Sequence, residues 1–500
     1  MPSILSKTNY RFANAAIIGS VLVLVIVLNL VLYGLAQGYS LYLFAEPQYT
    51  HQVHDSTIDF LSDLENDGRT VRIRFCMSEE QLQDDPVYRL VWNTAHQLKE
   101  KLPCISVETI NLMRDPEEVE PYLFRWVENE QTGEKEWVQV ATATRQTVIF
   151  DGETTHTMQS LSQFFHLDAN QRITAYNGEQ VMAAAVRYVL TDTHPKAYYT
   201  GSHGEVATAP LLNLLTCAGY EVTPIDLMHE TPEDEKGILL IATPVYDFVE
   251  GAEGVTAEIE KIEDFMARGG LVIACLDPLS SNTTHLKALF ARWGIVVEDG
   301  IVRDSENAIT TDGYTLVASF GEGVEGKGLS ELIGEDARVI LREASPLTVH
   351  LAEGKTTEPL LVSSSASKMY AHSGVVSDEG NFPLSAISID QKSGGGVLVV
   401  ASYYLGATDA LESDEYGNSN FVLGAIGRYR GVKVPLSREK LRLDNNRLED
   451  LTMGEARRYT LLLTTLVPAL VVVAGVVVLL RRKNSGGKRQ FRLKKGGEAQ

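Results

Sequence analysis

Five hundred residues, 44% of them hydrophobic and with a net charge of −22, hold enough apolar material for two or three soluble domains plus anchors. The charge is unevenly spread: the last twenty residues carry eight Lys or Arg against one Glu, residues 1–35 carry only Lys7 and Arg11, and the stretch 36–458 nets −31. So acidic a body argues against nucleic acid as a partner. Cys76, Cys104, Cys217 and Cys275 stand far apart with no CxxC or zinc-type spacing, so they read as buried small hydrophobes rather than a stapled framework.

Residues 1–12 form a short, weakly basic leader to an apolar run, 13–35, interrupted by Asn14 and Asn29. The apolar core of a cleaved signal peptide is about 7–15 residues. This run is longer and reads as an uncleaved transmembrane helix with its amino terminus in the cytoplasm. Residues 36–64 are polar and helix-tolerant, as a stalk would be. Within them HQVHD places His51, His54 and Asp55 so that two imidazoles share a helical face, as metal sites do. No further ligand stands nearby in sequence, so a solvated juxtamembrane face is expected.

From residue 65 the pattern is that of an α/β domain, 65–190. VRIRFCM alternates as a strand, Asp85 to Lys101 reads as a helix with Pro86 at its start, and CISVETINL is the next strand. TVIFDGETTHTM reads as strand, turn, strand. NGEQVMAAAVRYVLT reads as a helix with Val181, Ala185 and Val189 on one face. His194-Pro195 punctuates a boundary, and 195–432 reads as a second α/β domain. KAYYTGSHGE, ATAPLLNLLTCAGYEV, KGILLIATPV, VTAEIEKIEDFMARGG and LVIACLDP alternate strand and helix. That alternation gives a doubly wound sheet, flavodoxin-like or glutamine-amidotransferase-like, with ligands expected at the strand carboxyl ends. The candidate crevice there comprises Gly201, Ser202, His203, Glu205, Thr243 and Asp277. HLKALFARWGIVVED continues the unit, and residues 300–355 look irregular. EPLLVSSS, PLSAISI and GVLVVASYYL read as strands and NSNFVLGAIGRYRG as a final helix.

Residues 433–459 form a juxtamembrane segment. It precedes TLLLTTLVPALVVVAGVVVLL, residues 460–480, which has no charge and spans roughly 32 Å as a helix. The basic tail, 481–500, then lies in the cytoplasm by the positive-inside rule. It is suited to anionic lipid or to a cytoplasmic ATPase.

Two stretches imitate catalytic motifs. GEGVEGKG, Gly321 to Gly328, nearly satisfies the P-loop pattern, but Gly328 stands where a Mg²⁺-ligating Ser or Thr belongs, and Glu322 and Glu325 would repel phosphate. It reads as a flexible acidic loop. Ser202, His203 and Glu205 with Asp277 suggest a hydrolase triad. Adjacent Ser and His normally diverge, however, and no GxSxG elbow is present. Loop capping at the sheet edge is expected, with a modest binding role for the crevice.

In order and spacing, NGEQVMAAAVRYV, YYTGSHGE, CAGYEVTPIDL, LLIATPV, FMARGGLVIACLDP, WGIVVEDG, FPLSAIS, GGGVLVVASYYL and GNSNFVLGAIGRYRG form a familiar series. The chain resembles the auxiliary membrane proteins of ABC transport systems, the family named for the gliding-motility subunit GldG. The resemblance covers most of residues 65–485. It departs at Ala401–Leu405, where the family has an acidic GDSDF-like segment. It implies a non-catalytic, membrane-anchored extracytoplasmic partner of an ABC permease and its ATP-binding subunit. No cofactor and no metal are expected, and a glycan or peptide is the ligand class considered for the crevice. The rival readings are a cell-surface hydrolase and an envelope adhesion or scaffold protein.

Overall fold

Alternation sets the first sheet. In Val71–Phe75 (β1) the side chains of Val71, Ile73 and Phe75 are fully buried while Arg72 faces water, the period-two pattern of a strand with one covered face. The computed structural model from which this is read describes residues 51–62, 68–128, 134–167, 172–251, 257–278, 282–371, 373–413, 415–436, 441–443 and 457–458. The expected spans at 13–35 and 460–480, most of the stalk and the basic tail lie outside the described residues. Among the described residues no helix is long and apolar enough to cross a membrane.

Ile105–Thr109 (β2) pairs parallel to β1 after the helix Tyr88–Lys101. That helix starts later than the sequence suggests, because the Asp85 carboxylate accepts the amides of Val87 and Tyr88 and leaves Pro86 in the turn. Phe124–Glu128 (β3) and Lys135–Gln139 (β4) form an unforeseen hairpin, in which Trp126 stands opposite Trp137 with ring centroids 5.3 Å apart, the kind of cross-strand pair that stabilises ladders. Thr147–Gly152 (β5) and Thr155–Ser160 (β6) complete the sheet in the order β2-β1-β5-β6. Phe165–Leu167 (β7) and Ile173–Tyr176 (β8) form a separate ladder.

The helix Gly178–Leu190 follows. Its expected apolar face holds in part, with Ala185 and Val189 buried. Met182, Ala183, Ala184 and Val186 are buried too, as in a helix covered on most sides. The stalk reading fails at its carboxyl end. Val53, Phe60 and Leu61 are buried, and the Arg187 guanidinium donates to the Phe60 carbonyl, so 51–61 is docked. From His51 onward the chain clusters as one unit. The His194-Pro195 punctuation lies inside it, with the His194 ring stacked 3.9 Å from Tyr188.

The second sheet is built on Lys196–Thr200 (β9), Glu221–Ile225 (β10), Ile238–Ala242 (β11) and Leu271–Cys275 (β12). Every residue of β11 and β12 is buried, as expected of parallel strands covered on both faces. Leu240, Ala242, Ile273 and Cys275 enter one core with Leu211 and Leu215 of the helix Ala209–Cys217. Leu239, Ile241, Val272 and Ala274 enter another with Ile262 and Phe265 of the helix Glu258–Ala267. The stretch 300–355, expected to be irregular, is half regular. After Ile295–Val297 (β13) come Ile301–Asp304 (β14), Thr315–Phe320 (β15), Val339–Arg342 (β16) and Leu347–Val349 (β17). Lys355–Val362 (β18), Ser367–Tyr370 (β19), Pro383–Asp390 (β20) and Gly396–Val400 (β21) follow. The nine strands run β10-β9-β11-β12-β21-β20-β18-β15-β16. The first five are parallel, and the other four are antiparallel to their neighbours. The chain is thus a mixed α/β protein.

The P-loop lookalike is not a loop. Helix Val324–Ile333 begins inside it, so Lys327 and Gly328 are already helical and no glycine cradle precedes them. The glycines serve packing. A Cβ on Gly326 would run into the Gly321 carbonyl oxygen, and one on Gly328 would meet the Arg428 guanidinium, which is held by Glu325 at 2.7 Å. Gly326→Ala should therefore destabilise the protein by about 1–3 kcal/mol. Lys327→Ala, at an exposed position, should change it by less than about 0.5 kcal/mol. Thermal unfolding of the two variants checks this, and the reverse ranking would contradict the packing role.

Candidate functional site

The winding direction of the sheet reverses between β9 and β11, and a crevice opens outside the carboxyl ends of such strands because their loops part there. The loop after β9 is laced to the loop after β11. The amides of Val245 and Tyr246 donate to the His203 carbonyl, and the Val206 amide donates to the Ala242 carbonyl. Gly204 makes the turn with φ +76°, close under the Val245 side chain. Thr243, at the end of β11, takes φ +55°, which is costly for a β-branched residue. Its amide donates to the Cys275 carbonyl, and its hydroxyl to the Ala242 carbonyl at 2.7 Å. Strain of this kind collects at ligand sites.

The crevice has a volume of about 410 Å³. Leu211 and Cys275 supply apolar wall, while Thr243, Asp277, Tyr403 and Thr408 bring polar groups. Burial pushes the Cys275 thiol up to about 12, so it is an inert neutral group there. Of the residues singled out from the sequence, Thr243 and Asp277 line this space. Gly201 and Ser202 are exposed and lie outside it. Tyr403 belongs to the segment where the GDSDF-like signature is missing; from the sequence, Tyr403 and Tyr404 could stack on a sugar, though packing is the commoner role of strand tyrosines.

His203 and Glu205 serve a different purpose. The His203 ring stacks on Phe248 with centroids 3.9 Å apart. Its Nε2 bonds Glu258 Oε2 at 3.0 Å, and its Nδ1 lies 3.3 Å from Glu205 Oε1. Both glutamate side chains are fully buried and that of His203 is 9% exposed. Glu205 Oε2 accepts the His203 amide at 2.6 Å, and Glu258 Oε2 accepts the Val249 amide at 2.8 Å. Burial opposes the charge on His203, but the two carboxylates prevail and raise its pKa to about 9. Burial likewise works to raise the Glu205 carboxyl, and its hydrogen bonds, the one with His203 first among them, hold it below the usual value. Glu258, 55 residues downstream, carries no sequence signal for this partnership.

This geometry does not make a triad. The imidazolium donates through Nε2 to Glu258 and turns Nδ1 toward Glu205, and it has no lone pair at neutral pH with which to accept a proton, as a general base must. The Ser202 hydroxyl points to Asp226 Oδ1 at 3.5 Å, and the other oxygen of Asp226 bonds His229. The loop-capping expectation for His203 and Glu205 matches these contacts, with Glu258 as the anchor.

No family model and no curated protein matches the chain. Among solved structures, the amino-terminal domain of mmIFT52 aligns at 15% identity and TM-score 0.35 over 47% of this chain and 97% of that one. A cytoplasmic protein from Salmonella typhimurium aligns at 9% identity and TM-score 0.27 over 47% and 98%. Isoenzyme 2 of the alpha-L-fucosidase from Paenibacillus thiaminolyticus aligns at 12% and 0.25 over 52% and 36%. Likenesses this distant carry no inference.

Replacing the cation between two buried carboxylates should be expensive. His203→Gln is expected to destabilise the protein by about 3–5 kcal/mol at pH 6. A group whose pKa rises on folding stabilises fully below its unfolded value and loses that contribution as pH climbs through the folded one. The gap between wild type and variant should therefore shrink between pH 6.5 and about 9. Thermal unfolding across that range checks it, and a gap independent of pH would contradict the charged state.

Proposed function

We propose that this chain is a membrane-anchored auxiliary subunit of an ABC transport system, of the GldG-like kind, with both termini in the cytoplasm and the α/β body outside. The observation that carries the reading is that residues 51–57 and 435–442 meet at one corner of the body. On the incoming side, His51, His54 and Thr57 all bond the Glu179 carboxylate. On the outgoing side, the Pro435 carbonyl accepts Gln180 Nε2 at 2.7 Å. Leu441–Arg442 (β22) then pairs with β8, Leu441 opposite Tyr176. The chain that follows the apolar run 13–35 and the chain that leads toward 460–480 thus both pass this corner, the latter then bringing Arg458 to 3.7 Å from Glu306. Two neighbouring spans with a single loop between them suit that arrangement.

The order of the motifs supports the family reading, and the parallel half of the large sheet supports a flavodoxin-like or glutamine-amidotransferase-like second domain. In this reading the body has no engine. The ATP-binding subunit hydrolyses ATP, the permease packs on the two spans, the basic tail meets anionic lipid, and the crevice at Thr243, Asp277 and Tyr403 takes an extracellular glycan or peptide. The hydrolase alternative is disfavoured because His203 is committed to two carboxylates.

Co-expression with the neighbouring ATP-binding and permease subunits tests the assignment. Detergent extracts should yield the three together, and the purified chain alone should not turn over Mg-ATP. Recovery of the chain as a freely soluble protein, or ATP hydrolysis lost in Lys327→Ala, would contradict it.

A further inference from the structure

We propose that His51, His54 and Glu179 form a binding site for one divalent transition-metal ion of the zinc type, joining the start of the body to the helix Gly178–Leu190. The proposal does not rest on the transporter reading. His51 Nε2, His54 Nδ1 and a Glu179 oxygen lie within 4.8 Å of one another. Both imidazoles aim at the same oxygen, Oε2, at 2.7 and 3.0 Å. Around a tetrahedral ion with bonds near 2.0–2.1 Å, neighbouring ligand atoms stand roughly 3.3 Å apart. The two nitrogens therefore need to draw back from Oε2 by about 0.3–0.6 Å, and, being no more than 4.8 Å apart, to approach each other by at most about 1.5 Å. Two imidazole nitrogens and one carboxylate select zinc, cobalt or a similar ion over calcium or magnesium, which favour all-oxygen shells.

The ligands are held by a surrounding shell, as metal ligands usually are. Glu179 Oε1 accepts the His54 amide at 2.9 Å and the Thr57 hydroxyl, which fixes the carboxylate plane and leaves Oε2 toward the rings. The His51 ring lies edge-on to the buried Tyr176, with centroids 5.3 Å apart. The backbone carrying both histidines is pinned to the helix Tyr88–Lys101. Gln97 bonds the His51 carbonyl and the Val53 amide, and Lys101 bonds the Val53 carbonyl. The side chains of His51 and Glu179 are 9% and 11% exposed, while that of His54 is 37% exposed, which gives the ion a path from solvent. Three protein ligands leave a fourth position for water.

The test uses the full chain purified in detergent without a histidine tag and stripped with chelator. Titration with Co²⁺ should give one equivalent bound, with the visible absorption of a four- or five-coordinate nitrogen–oxygen site, displaced by Zn²⁺. His54→Ala, at a part-exposed position, should weaken binding about tenfold or more, while the metal-free protein stays folded with a modestly lowered melting temperature. Glu179→Gln should abolish the spectrum. Absence of stoichiometric binding, binding indifferent to His54→Ala, or thiolate charge-transfer bands that place the ion on cysteine would each overturn the proposal.

Discussion

The body closes on the Glu179 carboxylate. It stands in the first turn of the helix Gly178–Leu190, where negative charge is favoured by the helix dipole, and it gathers two imidazoles, a hydroxyl and an amide from a segment more than a hundred residues earlier. Three residues before it, Tyr176 pairs with the outgoing strand, and its hydroxyl reaches Thr94 at 2.7 Å. Between them, Gly178 is required, because a Cβ there would overlap the Tyr176 ring. One short stretch, Tyr176 to Gln180, thus fastens both residues 51–57 and residues 435–442 to the body.

The second His–carboxylate knot, at His203, has the opposite stoichiometry. There one imidazole is divided between two buried glutamates, so its charge is set by its partners and it fixes loops. At Glu179 one carboxylate is divided between two imidazoles, a surplus of nitrogen donors that suits an added cation. The same residue types reach two roles through counting alone. The crevice beside His203 inherits its shape from the knot there. Because the His203 carbonyl is tied to the amides of Val245 and Tyr246, the loops after β9 and β11 are held together at its rim.

Much of the fold is legible in the sequence because its signals are local. The continuous apolar runs of β11 and β12, the glycines that end the helices Ala209–Cys217 and Asn418–Arg430, and the alternation in β1 each announce themselves within ten residues. What stays hidden depends on distant partners. HQVHD lacks a third ligand nearby, and Glu179 supplies it from far along the chain. The Glu258 partner of His203 lies on a helix whose own pattern says only that it is amphipathic. The glycines of GEGVEGKG suggest a flexible loop, whereas their cause is the close approach of Gly321 and Arg428. The β3–β4 hairpin has no tight-turn dipeptide, so its register shows only once Trp126 and Trp137 are seen opposite each other. At the crevice, Thr243 and Asp277 follow from the rule that ligands gather at strand ends, but Tyr403 arrives from a segment that departs from the family pattern.

The claim that joins fold to membrane is that the body is held at two adjacent points. Ser56 and Leu436 line one small cavity at that corner. The direct measurement is cross-linking of the full chain in native membranes, carrying Ser56→Cys and Leu436→Cys with Cys104 and Cys217 changed to serine, by a short bifunctional thiol reagent. The account predicts a rapid intramolecular cross-link that needs both new cysteines and forms before any detergent is added. Failure to link the pair, with each cysteine singly reactive, would mean that the two ends do not meet in the membrane-bound protein.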